Sequence, residues 1–246
     1  MNPFPPNPPV RGYEFRKATK DDLDNITQIH IDGFLEEPMD NYCFPNRFEY
    51  MEDHFTWLRK EYEYYLDNSN KYLVHVAVPA GCSAEGAPPK PMALAVWNID
   101  VLAHVPPLGK SLLLRFINTL LNSLLLDRGL EQRKDVNKKH VEAYMQVASK
   151  RYVPHGFFYK WGEEQITLSV LTVLPDFRRQ GVATMMVHWG TSAASKKGWP
   201  VTVCASPMGQ LLYENLKFVV VGTEVIQAED EEDSFSSAVM VLHPGS

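Results

Sequence analysis

Two spacings of apolar residues take turns along this chain. Apolar runs or strict alternation predict strands at residues 12–17, 72–78, 92–99, 166–174, 200–204, 217–222 and 237–242. Helical spacing predicts helices over 20–34, 46–66, 109–126, 130–148, 181–197 and 207–216. The order β-α-α-β-β-α-α-β-α-β-α-β-β is that of a mixed α/β protein. Residues 79–90, rich in Pro, Gly and Ala, read as a long hairpin tip between the second and third strands. In 109–126, Leu113, Phe116, Ile117, Leu120, Leu121 and Leu124 make an apolar face that Leu112, Leu114, Leu125 and Leu126 widen. A helix that apolar needs cover on more than one side. Packing on the sheet, a wall over a pocket and a dimer contact all satisfy it, so a monomer and a homodimer both stay open. The acidic run at 228–234 reads as a solvated hairpin tip.

Composition narrows the class. With 246 residues, 45% of them apolar, the chain can build one large core. The expected division is a flexible proline-rich lead-in at 1–11 and one domain over 12–246, enlarged between the third and fourth strands at about 100–165. A net charge of −6 and basic runs no longer than a pair argue against a nucleic-acid partner. Three scattered cysteines suggest a reducing compartment, and no Cys/His cluster has metal-ligand spacing, so no metal is expected. The lead-in lacks the apolar core of a signal peptide. The stretch 111–126, broken by Arg115, falls short of the ~20 residues that span a bilayer. The expectation is a cytoplasmic protein with no membrane partner.

The chemistry is concentrated where the strand at 166–174 turns through Pro175 into Arg178-Arg179-Gln180-Gly181-Val182-Ala183-Thr184. Free amides at a helix start, the positive end of the helix dipole and two arginines make a site for a phosphate or pyrophosphate. Gly181 lets the backbone approach such a ligand closely. Neither the Walker spacing nor the dinucleotide Gly-x-Gly-x-x-Gly fingerprint is present. About 25 residues on stands Ala205-Ser206-Pro207-Met208-Gly209-Gln210-Leu211-Leu212-Tyr213-Glu214-Asn215-Leu216-Lys217-Phe218. Thr19 and Asp22, after the first strand, have the spacing of a capping box.

These two segments, in this order, resemble the Arg/Gln-x-x-Gly-x-Gly/Ala signature and the Ala-Ser-x-x-Gly-x-x-Leu-Tyr-x-x-Leu-Gly-Phe segment of the GCN5-related N-acetyltransferase (GNAT) superfamily. Tyr13 to Leu23 resembles that family's first strand and helix start, so the likeness spans roughly residues 13 to 243. It implies a central, mostly antiparallel twisted sheet of about seven strands flanked by helices. It also implies acetyl-CoA as co-substrate, with transfer of the acetyl group to the amine of a small molecule. Protein N-terminal or lysine acetylation, O-acetylation, and a noncatalytic acyl-CoA-binding or protein-interaction module, are the competing readings.

By the resemblance, the main chain of Leu171, Thr172 and Val173 pairs with the pantetheine arm, and the pyrophosphate sits on the amides from Arg178, Arg179, Gln180, Gly181 and Val182 through Ala183 and Thr184. Ser206 caps the following helix or bonds to the arm, and Tyr213 lies at the sulfur as general acid. The expected base is Glu164 or its neighbour Glu163, with His155 as another candidate. Helical spacing sets Met208, Leu212 and Leu216 on one core stripe and turns Tyr213 about 100° from Leu212, toward a cleft. The acceptor is expected between Phe34–Pro38, the 150–165 segment and the Tyr213 helix, where Glu36 and Glu37 could attract a cation. Where the family has glycine after the tyrosine helix this chain has Lys217, at an expected cost of about 1 kcal/mol for a left-handed residue.

Overall fold

A computed structural model describes residues 12–81, 89–99, 133–162 and 164–245. The proline-rich lead-in, the tip of the 79–90 loop, the helix expected at 109–126 and Glu163 lie outside the described residues. The strands are β1 (Tyr13–Lys17), β2 (Tyr72–Pro79), β3 (Ala93–Asn98), β4 (Ile166–Val173), β5 (Val201–Ala205), β6 (Val219–Gln227) and β7 (Ser234–Leu242). The helices are α1 (Leu23–Gly33), α2 (Pro38–Cys43), α3 (Met51–Asp67), α4 (Lys138–Lys150), α5 (Val182–Lys197) and α6 (Pro207–Asn215). All seven expected strands form, in one sheet of order β1-β2-β3-β4-β5-β7-β6. Every pairing is antiparallel except β4 with β5.

β2 and β3 are the deepest strands, apolar on both faces because both are covered. Val74, Val76, Leu94 and Val96 pack with Ile26, Ile29, Leu58 and Tyr62 of α1 and α3. Leu73, Ala77, Ala95 and Trp97 pack with Met185, Met186 and Trp189 of α5. At Gly190 the two layers touch: a Cβ there would stand 2.2 Å from the Trp97 ring. Thr19 and Asp22 form the expected capping box. No described helix is long and apolar enough to cross a membrane.

Three elements differ from the spacing-based expectation. α2 is too short to show a period, and it starts on Pro38, whose fixed φ suits the first helical position. α3 begins at Met51 instead of 46, because the intervening turn buries Arg47. α4 begins at Lys138, capped by Asn137. The residues before it are tied down instead, with the fully buried Asp135 bonded to Arg133 and, at 2.9 Å, to His54. The acidic tip is not simply solvated: Glu231 bonds His140 at 2.6 Å, and the Ala228 amide donates to the Tyr42 hydroxyl at 2.8 Å. Lys217 adopts the left-handed conformation, φ 70°, as the missing glycine implied.

His75, on β2, lies between the rings of Phe15 (4.8 Å) and Trp189 (4.0 Å), with Nδ1 unpartnered. Burial pushes its pKa down to about 4, and the Lys17 charge adds to the shift. The unfolded chain therefore takes up this proton at about pH 6.5, whereas the folded one resists it to about pH 4. Folding stability should fall as pH drops through that window, by up to about 3 kcal/mol from this group. Urea unfolding at pH 7 and pH 4.5 should show a smaller acid loss for His75→Phe than for the parent; equal losses would refute the assignment.

Candidate active site

The sheet opens at its centre. β4 and β5 pair only from Ile166↔Val201 to Leu168↔Val203, although β4 runs on to Val173. The cause lies on the other side of β4. Val96 faces Val170 while Trp97 faces Leu168, so Ser169 is an extra residue, a bulge that bends the strand. Ser169 is exposed in mid-strand. Beyond it, alternate backbone groups of β4 have no strand partner on the β5 side. The Leu174 amide bonds Met92 of the β3 side, at 3.0 Å, so by alternation Leu171 and Val173 turn their backbone groups toward the opening. Thr172 turns the other way, and its side chain is buried against Gly33, where a Cβ would stand 2.0 Å from the Thr172 Oγ1. Of the three expected residues, Leu171 and Val173 thus turn their backbone to the opening.

At the far end of the opening, α5 begins on Gly181 with φ 83° and no side-chain cap. Arg179, at φ 63°, is also left-handed. The amides of Val182, Ala183 and Thr184 therefore lack intrahelical and capping partners, which is the condition for anion binding at a helix start. The two arginines divide the work differently from the sequence expectation. The Arg178 guanidinium donates to the Val173 carbonyl (3.1 Å) and the Gly33 carbonyl (2.8 Å), stapling α1 to the end of β4. Arg179 is exposed beside the loop. Gln180 is held by the Tyr13 hydroxyl and by the Asp176 carbonyl, at 3.1 Å from the latter.

Beside the opening stand three groups from distant parts of the chain. Ser206 is the N-cap of α6, its Oγ accepting from the Gly209 amide at 3.3 Å. Tyr213 is 5% exposed and packs on Phe218, with ring centroids 5.4 Å apart. Its phenol is driven well above its usual range by burial and then by the charge of Glu37. Glu37, the N-cap residue of α2, is itself pushed up to about 7. Burial is the main cause and Asp40 adds to it, whereas a hydrogen bond from Ser206, the neighbouring His30 and the Met39 amide pull the other way. Of the expected core stripe of α6, Leu212 and Leu216 pack against the core and Met208 does not. Tyr213 faces the core, while Met208 (56% exposed) and Leu211 (63%) face outward. A Cβ at Gly209 would make ordinary contact with both Ser206 and the Tyr213 ring, at 3.4 Å.

Glu164 is exposed ahead of β4, about 17 Å of extended strand before the bulge, and no interaction joins it to Tyr213. His155 is exposed in a tight turn at φ 73°. The aromatic segment around it is core material. Phe158 is fully buried with Val239 and Val241, and Phe157 fills the space over Gly222. In the sequence Glu37 offers only a charge that could attract a cation. Its signal was faint, an acidic pair before Pro38, because what raises its affinity for a proton is burial between α1, α2 and α6.

No family model matches this chain. A protein described as an acetyltransferase from Stachybotrys chartarum is 21% identical over 243 residues, covering 97% of this chain and 93% of that protein. Arylalkylamine N-acetyltransferase 2 from Aedes aegypti superposes with a TM-score of 0.60 at 10% identity, covering 95% of this chain and 99% of the other. The histone acetyltransferase HPA2 and related acetyltransferase from Corynebacterium glutamicum superposes with a TM-score of 0.53 at 15% identity, covering 96% and 98%. With its bulged β4, its opening beside β5 and its uncapped helix start, this chain has the fold of the GNAT acetyltransferases.

Proposed function

We propose that this protein is a cytoplasmic acetyltransferase that moves the acetyl group of acetyl-CoA directly to the amine of a small molecule. The observation that carries the reading is the meeting of Glu37, Ser206 and Tyr213 beside the opening between β4 and β5. The open edge formed by the Leu171 backbone and the Val173 amide suits the amide-bearing arm of the co-substrate, added like a strand. The amides of Gly181 to Thr184, with Arg179 beside them, suit its pyrophosphate. Glu37 then takes a proton from the acceptor ammonium, because a carboxyl near 7 is half ionised at neutral pH and accepts a proton well. The free amine attacks the thioester carbonyl, the C–N bond forms, and the C–S bond breaks as the tetrahedral intermediate collapses. Tyr213 donates its proton to the departing sulfur and regains one from the acetylated nitrogen. Ser206 orients the Glu37 carboxylate.

The test is calorimetric titration with acetyl-CoA and CoA, followed by a CoA-release assay over an amine panel. Arylalkylamines head the panel, since the Aedes aegypti neighbour is named for them, with peptide N-termini and lysine peptides as competitors. Micromolar cofactor binding and turnover of a small amine are expected. Absence of binding overturns the reading, and turnover of peptides alone replaces its acceptor. In the same assay Tyr213→Phe should lower kcat by about 10- to 100-fold with cofactor affinity unchanged; an unaltered kcat removes Tyr213 from the acid role.

A further inference from the structure

Behind Glu37 lies a chain of buried polar groups that no step above uses. The Tyr62 hydroxyl of α3 is 2.6 Å from His30 Nδ1 of α1, and His30 Nε2 is 3.4 Å from Asp40 Oδ2 of α2. All three residues are buried, Tyr62 at 1%, Asp40 at 2% and His30 at 7% exposure. The other oxygen of Asp40, Oδ1, is buried without any hydrogen-bond partner. The Arg47 cation feels the Asp40 charge. Arg47 is buried in the following turn, yet its guanidinium goes to the carbonyls of Leu35 (2.9 Å) and Phe44 (3.3 Å) and to Asn41 Oδ1 (2.6 Å). A buried carboxylate with one oxygen unsatisfied is costly, and such groups concentrate at functional sites.

We propose that Asp40, buried one turn of α2 from Glu37 and held there by the Tyr62–His30 pair, is a positioning residue for Glu37 in the proton transfer from the acceptor. This rests on the reading of Glu37 as the base. An aspartate at this site works against ionisation of Glu37, and His30 partly offsets it. The groups facing Glu37 are His30 from α1, Asp40 and the Met39 amide from α2, and Ser206 and Tyr213 from α6. Those that feel the Asp40 charge are Cys43, Arg47, His54 and Tyr62, besides Glu37 itself. Of these only Arg47 carries a fixed positive charge, and desolvation weighs against even that.

The sign of the effect follows directly. Removing the Asp40 charge makes Glu37 easier to ionise, so the acid limb of the kcat/KM profile moves to lower pH. Asp40→Asn, which keeps size and hydrogen-bonding capacity, should move that limb down by about one unit, the usual scale for one nearby charge in a buried site. A thermal melt checks that the variant folds; if it does not, Asp40→Ser carries the same prediction. Asp40→Glu, which restores the charge, should return the limb toward that of the parent. A purely structural role would change melting and amplitude without moving the limb. If Glu37→Gln is fully active, the base assignment fails and the proposal with it. If Glu37→Gln is inactive but the limb is unmoved in both neutral Asp40 variants, the proposal alone is overturned.

Discussion

Glu37→Gln loses about 10²- to 10⁴-fold in kcat/KM at pH 8 while acetyl-CoA binds as before: this is the expected result for a group that removes a proton and does not touch the cofactor. The parent enzyme should show a rate that rises with pH through an apparent pKa of about 7, and this limb should vanish in the variant. A second readout moves the other way. Glu37 is raised in the folded state, so folding favours its neutral form. That contribution is complete below about pH 4.5, the usual carboxyl value, and is lost as pH rises to about 7. At pH 8 the parent thus carries an ionised carboxylate in a half-dry site, and the glutamine variant should be more stable, by about 1–2 kcal/mol once partial exposure is allowed for. Chemical denaturation at pH 5 and pH 8 measures it. A variant that keeps its activity, or one whose stability gain is equal at both pH values, contradicts the assignment.

Gly181→Glu should abolish detectable binding of acetyl-CoA. Three costs fall on one site. The backbone there is at φ 83°, which a residue with a Cβ adopts at a cost of about 1 kcal/mol. The added carboxylate stands at the start of α5 and competes for the amides of Val182 to Thr184, where a negative side chain is itself stabilised. It also repels the pyrophosphate that those amides would hold. A Cβ at 181 meets open space, with no atom within 4 Å, so the fold should tolerate the change and the loss is specific to binding. Titration calorimetry and a melting curve together decide it, and Gly181→Ala, with the strain but no charge, should weaken binding only modestly. Unaltered affinity in Gly181→Glu would place the pyrophosphate elsewhere.

How much of this could be read from the chain depends on the kind of contact. The strands of β2 and β3 announce themselves because burial on both faces demands continuous apolar residues. The start of α5 announces itself because Pro175, Gly181 and two arginines are local. What the chain hides is made by distant partners. α2 is six residues long, so it has no period to detect. The role of Arg178 is fixed by the carbonyl of Gly33, 145 positions earlier, which only the fold brings near. Helical spacing turns Tyr213 away from the stripe of Met208, Leu212 and Leu216, toward a cleft, yet Tyr213 is the buried residue of α6, Leu212 and Leu216 pack beside it, and solvent takes Met208 and Leu211. Glu164 drew attention as a carboxylate beside β4. Glu37 has the altered affinity for protons because α1, α2 and α6 enclose it, which no local pattern records.

The tie between His54 and Asp135 sets a condition on chain length. The chain leaves β3 at Ile99, whose amide bonds the Lys71 carbonyl just past the end of α3, and it is caught again at Asp135 near the start of that helix. From His54 to Asp67 the helix rises about 20 Å, a gap that six or seven extended residues could bridge. The sequence supplies 33 residues, from 100 to 132. The two ties therefore fix where this stretch leaves the fold and where it rejoins it, without fixing its length.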